Sequence, residues 1–303
     1  MNIHTGLQAA KMNTGTAVAL GYFDGVHLGH RAVMQAALGF ATQHALASAA
    51  FTFTLPAENY KGKALLTQTE KERRIAALGI DVLLCPPAAE IFGLNCEQFV
   101  QQVLVQALHA KAVFCGDDFT FGKNAAGNVA LLRTLCAAHG ITVQTVPTVL
   151  VDGAPVSSTR IRAALGAGEM EQVNTLLGQP YSIDLPVQAG KHFGRTMGLP
   201  TINQIYPAHL QLPQSGVYIT QTVLDGTPYA SATGLGSRPT VGGEGITCET
   251  FILGFSGDLY GTAPTVRFYR YLKPTVKFAS KEELHAYISS AAQAAKAYFA
   301  QQG

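Results

Sequence analysis

Gly21-Tyr22-Phe23-Asp24-Gly25-Val26-His27-Leu28-Gly29-His30 follows the apolar run Thr16-Ala17-Val18-Ala19-Leu20 and precedes a long stretch of helical pattern. That order predicts a buried strand, a tight turn and a helix N-terminus. Such a turn suits phosphate, because the N–H groups of a first helical turn are unpaired and the helix dipole favours negative charge there. His27 and His30 are three apart, on one helical face if the helix has begun by then, so both could hydrogen-bond one polyphosphate. Gly25 and Gly29 would let a ligand approach the backbone closely. The same residues also fit a glycine-rich turn whose histidines only cap a helix. A zinc site is disfavoured, since two histidines three apart lack a nearby third ligand or a Glu placed as in His-Glu-x-x-His.

The chain has 303 residues, long for one core, and two domains are expected. An apolar share of 48% is globular, whereas 13% charged is about half the usual share, so much of the surface is uncharged polar groups, Ala and Gly. A net charge of +2 with no Lys/Arg block is too small for a nucleic-acid or membrane footprint and fits a phosphorylated small molecule better. No nucleic acid and no membrane partner is expected, and nothing in the composition selects an oligomeric state. The five cysteines, Cys85, Cys96, Cys115, Cys136 and Cys248, are odd in number and form no Cys-x-x-Cys pair. Most sit in apolar runs, which suggests reduced, buried thiols in a cytoplasmic protein. No charged-then-apolar leader opens the chain and no stretch reaches membrane-spanning length.

From Thr16 to about Val149, apolar runs of strand length alternate with helical patterns. Candidate strands are Thr16 to Leu20, Ala49 to Thr54, Asp81 to Cys85, Lys111 to Cys115 and Ile141 to Val146. Helix starts are signalled by Thr67-Gln68-Thr69-Glu70 and Asn95-Cys96-Glu97-Gln98, both of capping-box form or close to it. This alternation predicts a parallel sheet covered by helices, with ligands beyond the strand C-termini. Helical pattern stops at Gly178-Gln179-Pro180-Tyr181, where Pro180 forbids simple continuation. Beyond it, Val217 to Val223, Thr247 to Phe255 and Thr265 to Tyr271 alternate with Gly/Pro turns and read as a compact β-barrel. An amphipathic helix from about Lys281 to Gln301 ends the chain.

The opening stretch, as Gly-x-Phe-Asp-Gly-x-His-x-Gly-His, resembles the signature of the nucleotidyltransferase superfamily in its flavin-adenylating branch, and is similar to the N-terminal module of bacterial bifunctional riboflavin kinase/FAD synthetases. Cys115-Gly116-Asp117-Asp118-Phe119-Thr120-Phe121-Gly122 resembles that family's Gly-x-Asp-Phe-x-Phe-Gly loop, and Val156-Ser157-Ser158-Thr159-Arg160-Ile161-Arg162 its Ser-Ser-Thr-x-Ile-Arg segment. Taken by itself, Ser-Ser-Thr is also an ordinary N-cap. The resemblance implies a Rossmann-like nucleotidyltransferase domain over residues 1–180 and a β-barrel riboflavin kinase domain with a C-terminal helix over 181–303. It implies ATP and phosphate contacts from Gly21, Phe23, Asp24, Gly25, Gly29, Ser157, Ser158 and Thr159. His27, His30 and Arg160 would stabilise the triphosphate during adenylation, and Asp118, Phe119 and Phe121 would meet the flavin.

In the second module, Gly194-Arg195-Thr196-Met197-Gly198-Leu199-Pro200-Thr201-Ile202-Asn203 resembles the riboflavin kinase signature Gly-Arg-x-x-Gly-x-Pro-Thr-x-Asn. A hydroxyl and an amide oxygen two residues apart can bind one hard cation with its phosphate. Gly194 and Arg195 are implied ATP contacts, Thr201 and Asn203 implied Mg²⁺ ligands, and Glu249 aligns with the family's catalytic base. The chain departs from the family's usual pattern with Thr54-Leu55-Pro56-Ala57 after the second strand, Gly234 for Asn, Phe251 for His, Gly254 for Asp, and Lys273-Pro274-Thr275 for Arg-x-Glu. Lys cannot reproduce a bidentate guanidinium grip. The expected activity is phosphorylation of riboflavin to FMN by ATP and adenylylation of FMN to FAD with release of pyrophosphate. An adenylyltransferase with a degenerate, flavin-holding barrel and a non-catalytic flavin-binding regulator are the alternatives.

Overall fold

All five side chains of Thr16–Leu20 are buried, as a strand covered on both faces requires. The computed structural model describes residues 1–9, 12–55, 63–188, 201–237, 245–275 and 281–301. Packing divides the chain into two compact units, one formed by Met1–Lys61 with Lys71–Ser157 and the other by Gly62–Glu70 with Ser158–Gly303.

The first unit holds a parallel sheet of six strands, β1 (Asn2–His4), β2 (Thr16–Leu20), β3 (Ala47–Phe51), β4 (Val82–Leu84), β5 (Ala110–Gly116) and β6 (Thr142–Val146), in the order β1-β4-β3-β2-β5-β6. The five strands expected here are all present, with ends shifted by a few residues. β1 carries too few residues for a pattern and pairs β4 at the edge. Helix α1 (Leu28–Gln43) follows β2, and α2 (Gln68–Ala76) and α3 (Ala88–Ile91) flank β4. Helix α4 (Cys96–Phe99) runs on as a π-helix over Val100–Ala107, and α5 (Val129–Ala137) precedes β6. Asn95 caps α4 in the expected capping box, its side chain accepting from the N–H of Gln98 while the Gln98 side chain accepts from its own.

From β2 the chain winds outward through β3 to β4, and from β5 it winds the other way to β6. The order therefore reverses between β2 and β5. A crevice opens at such a switch point beyond the strand C-termini, and the two loops that leave there are Gly21–His27 and Asp117–Gly122. A short hairpin, β7 (Leu150–Val151) and β8 (Ala154–Pro155), turns on Asp152-Gly153, both with positive φ, and leads to Val156 and Ser157.

The second unit begins with α6 (Ser158–Ala167) and α7 (Met170–Leu177) and continues as a seven-stranded antiparallel sheet. Its strands are β9 (Tyr181–Ile183), β10 (Val187–Gln188), β11 (Thr201–Tyr206), β12 (Gly216–Leu224), β13 (Thr227–Ser237), β14 (Ile246–Ile252) and β15 (Thr265–Lys273). The order β10-β11-β14-β13-β12-β15-β9 makes the expected barrel a curled half-barrel. Tyr181, Tyr218 and Phe268 fill its inner face together with a chain of buried hydroxyls, Thr222, Ser231, Thr220, Thr233 and Thr250, each 2.8–2.9 Å from the next. The terminal helix α8 (Lys281–Ala300) lays Ala291 on Val217 and Ala232.

Pro180 marks a change of texture, but the packing units part at Ser157/Ser158. The reason is α7, whose Asn174 side chain donates to the Phe268 carbonyl at 2.9 Å and accepts from the Tyr181 N–H at 2.8 Å. Residues 62–70 join the same unit through Thr67 to Asp184 at 2.6 Å and Ser182 to Glu70 at 2.6 Å.

Candidate functional sites in the two units

The loop after β2 is strained where it must turn: Phe23 and Val26 have φ of 56° and 47°, a region that costs a β-branched residue most. A Cβ on Gly21 would lie 2.5 Å from the Phe23 ring, so only glycine lets that ring fold back. Helix α1 starts at Leu28, which makes His27 its N-cap rather than a helical residue. Its Nδ1 accepts the backbone N–H of His30 at 3.3 Å. The capping reading of the sequence is thus correct for His27, and with Nδ1 accepting, the neutral ring carries its proton on Nε2.

The His27 and His30 rings stack with centroids 3.6 Å apart and planes 18° from parallel, and Phe23 meets His30 edge-on at 5.4 Å. Burial lowers the His27 pKa to about 4. His30 is pushed well below the usual histidine range by burial first, then by the charges of His27 and Lys71. The pair is neutral near pH 7 and contributes hydrogen bonds, not positive charge. His30 Nδ1 is buried and has no hydrogen-bond partner among the described residues. Gly29 leaves the space these rings need, since a Cβ there would stand 3.2 Å from the His27 ring and 3.8 Å from the Val156 carbonyl. The segment that becomes Ser157 therefore begins beside the first loop. Asp24, within that loop, is 6% exposed.

The loop leaving β5 places Asp118 at the surface and Phe119 half-buried, with the Phe119 N–H on the Gly116 carbonyl at 3.2 Å. Phe121 belongs to the core: it is 5% exposed, lies 5.4 Å from the Phe99 ring, and exchanges both backbone hydrogen bonds with Gly127. A Cβ on Gly127 would strike its ring at 2.5 Å, which accounts for the glycine.

In the second unit, Ser158, Thr159 and Arg160 form the first turn of α6, the helix start expected of this segment. Arg162, two residues further along the same motif, donates its Nε–H to the Lys63 carbonyl at 2.7 Å. On the half-barrel, β11, β14 and β13 align Asn203, Glu249 and Gly234 in one row, and Thr201, Phe251 and Ala232 in the next. Side chains two apart on a strand share a face, so Thr201, Asn203 and Glu249 lie on one side of the sheet. Cys248 and Thr250, flanking Glu249, point the other way and are fully buried, while Glu249 is half-buried. Gly194 and Arg195 lie outside the described residues.

The departure at Lys273 has a structural explanation. Its ammonium donates to Ser290 Oγ at 2.7 Å and sits 3.6 Å from the Tyr287 ring, fastening α8 to β15. No three His, Cys, Asp or Glu side chains gather for a metal among the described residues. A metal at the half-barrel face would be held by Thr201 hydroxyl and Asn203 amide oxygens, a hard donor set suited to Mg²⁺ that shares its remaining positions with phosphate and water. The five cysteines are buried and free, as expected.

Sequence reasoning missed Lys71. In the helical pattern Thr67 to Ala76 its neighbours are charged, which reads as a solvated face, yet Glu70, Lys71 and Arg74 are 0%, 6% and 3% exposed. The Lys71 ammonium lies 4.9 Å from the Tyr22 ring centroid, on the opening loop.

Residues 9–160 match the FAD synthetase family and residues 177–299 the riboflavin kinase family. The bifunctional riboflavin kinase/FMN adenylyltransferase of Haemophilus influenzae is 32% identical over 99% of both chains. Those of Pseudomonas fluorescens and Escherichia coli K12 are each 33% identical, over 93% and 94% of this chain and 93% of their own lengths. A crystal structure named as a macrolide-efflux protein from Streptococcus pneumoniae superposes with a TM-score of 0.85 at 26% identity, covering 97% of this chain and 98% of that one. No helix among the described residues is long and apolar enough to cross a membrane. With both domain families matched in order and relatives alike across their whole length, the chain belongs to the bifunctional riboflavin kinase/FMN adenylyltransferase family.

Proposed function

We propose that this protein makes both flavin cofactors in sequence, with riboflavin phosphorylation at the outward face of β11, β14 and β13 and adenylylation at the loops beyond β2 and β5. The observation that carries the first assignment is the register that sets Asn203 opposite Glu249, with Thr201 on the same face. A neutral 5′-hydroxyl is a weak nucleophile, and a carboxylate within reach takes its proton as the bond to the γ-phosphorus forms. Glu249 does this. Thr201 and Asn203 would hold Mg²⁺, whose chemistry there would be to neutralise charge on the triphosphate.

In adenylylation the nucleophile is the FMN phosphate, already ionised, so no base is required. An FMN phosphate oxygen bonds to the α-phosphorus of ATP, the bond from that phosphorus to the bridging oxygen breaks, and pyrophosphate leaves with the electron pair. The protein's work is positioning and electrostatics. The neutral His27 and His30 donate hydrogen bonds to the triphosphate beside the N–H groups of α1. Gly21, Phe23, Asp24, Gly25 and Gly29 shape that loop. Ser157 supplies a further phosphate donor, and Ser158, Thr159 and Arg160, which open α6, carry the phosphate-donor role that their motif implies. Asp118 with Phe119 meets the flavin, while Phe121 supports their loop from the core. Five buried free thiols favour a reducing compartment, and we assign the protein to the cytoplasm with no nucleic-acid partner. Incubation with FMN, ATP and Mg²⁺ tests the adenylyl step, and with riboflavin both.

A further inference from the structure

The stretch Gly21–His30 contains one acidic residue, the buried Asp24, and no side-chain cation, because its two histidines are neutral. A triphosphate carrying several negative charges would meet N–H donors and a helix dipole there but no side-chain cation from the loop itself. α2 supplies one. Lys71 is 6% exposed, its ammonium stands 4.9 Å from the ring of Tyr22, and among the described residues it forms no ion pair. Burial lowers its affinity for a proton, and Cys85, Asp24 and Glu72 act in the opposite sense. Its charge is felt at His30. A buried ammonium without a bonded carboxylate opposes folding, and groups held at such a cost gather at functional sites.

We propose that Lys71 is a phosphate-contacting residue of the adenylylation site, its ammonium neutralising the polyphosphate that His27 and His30 hold. This rests on the reading of the histidine pair as a polyphosphate grip. Charge accumulates on the leaving pyrophosphate as the bond to the α-phosphorus breaks, and a fixed cation favours that product-like distribution. The step itself needs no proton from Lys71.

The test uses the full-length protein and inorganic pyrophosphate with Mg²⁺ as the probe. Wild type, Lys71→Met, Lys71→Arg and the double variant His27→Ala/His30→Ala are compared by calorimetric binding, by FAD formation from FMN, by riboflavin phosphorylation and by thermal melting. Lys71→Met should weaken pyrophosphate binding roughly tenfold or more, the scale of one lost charge-assisted contact. FAD formation should fall at least as far, with riboflavin phosphorylation kept and the melting temperature equal or higher. Lys71→Arg should recover part of the binding. Unchanged pyrophosphate affinity in Lys71→Met, when the double histidine variant has lost it, overturns the Lys71 assignment alone. Unchanged affinity in both overturns the underlying reading of the histidine pair. A lower melting temperature with both activities falling together assigns Lys71 a structural role and overturns the proposal.

Discussion

Asn203 and Glu249 stand directly opposite one another in the β11–β14 ladder, on the face that also carries Thr201. Backbone pairing on both sides of Glu249 sets this arrangement, so conservative changes there should leave the sheet intact. Glu249→Gln is expected to lower riboflavin phosphorylation by roughly 10²–10⁴-fold, the usual contribution of a general base. FAD formation from FMN should persist at the wild-type rate. Separate assays of FMN and FAD check this, and wild-type kinase turnover in the variant would remove Glu249 from the role of base.

Gly234 is the next residue in that row, and among the described residues a Cβ there would meet nothing closer than the Glu249 carbonyl at 3.9 Å. The described residues leave room at this Cβ for the asparagine of the family pattern. Gly234→Asn should therefore fold normally and lower the KM of riboflavin phosphorylation several-fold, the worth of one added hydrogen bond. A raised KM, or a melting temperature several degrees lower, would show that the position is closed to a side chain.

His27 ties stability to pH. Unfolded, it binds a proton near pH 6.5, whereas folded it refuses one until about pH 4, so the unfolded chain holds more protons between those values. Its contribution is complete above pH 6.5 and is lost as pH falls toward 4, a loss of roughly 3 kcal/mol. His27→Asn keeps an N-cap and should flatten the acid limb in urea unfolding measured from pH 8 to 4.5. Equal slopes for variant and wild type would contradict the buried, neutral imidazole.

The junction at Pro180 gives a prediction about fragments. A fragment from Tyr181 to Gly303 lacks α7, and with it both Asn174 hydrogen bonds and the ion pair of Glu171 with Arg270 at 2.5 Å. A fragment from Ser158 keeps them. The shorter one should melt at the lower temperature, by several degrees, with the exposed ion pair adding little to the difference. Equal melting temperatures would place the working boundary at Pro180.

What the sequence made legible is what is local. The β2 strand, the turn into α1, the Asn95 capping box and the order of both modules follow from patterns a few residues long. The edge strand β1 and the strands β9 and β10 escaped notice because two or three residues cannot show a period. The half-barrel partners of residues 62–70 are more than a hundred residues away in sequence, and a segment reading as a charged helix start gives no sign of them. Lys71 was hidden for the same reason. His27 was legible as a candidate cap and as a candidate ligand, and the structure shows the cap.

One chain that carries both activities should turn riboflavin into FAD unaided. Incubation of the pure full-length protein with riboflavin, ATP and Mg²⁺, with FMN and FAD quantified separately over time, tests it most directly. FMN should appear first and FAD follow, with neither formed when Mg²⁺ is chelated. FAD formed from added FMN but no FMN formed from riboflavin, even at saturating flavin and ATP, would contradict it and leave an adenylyltransferase with an inactive half-barrel.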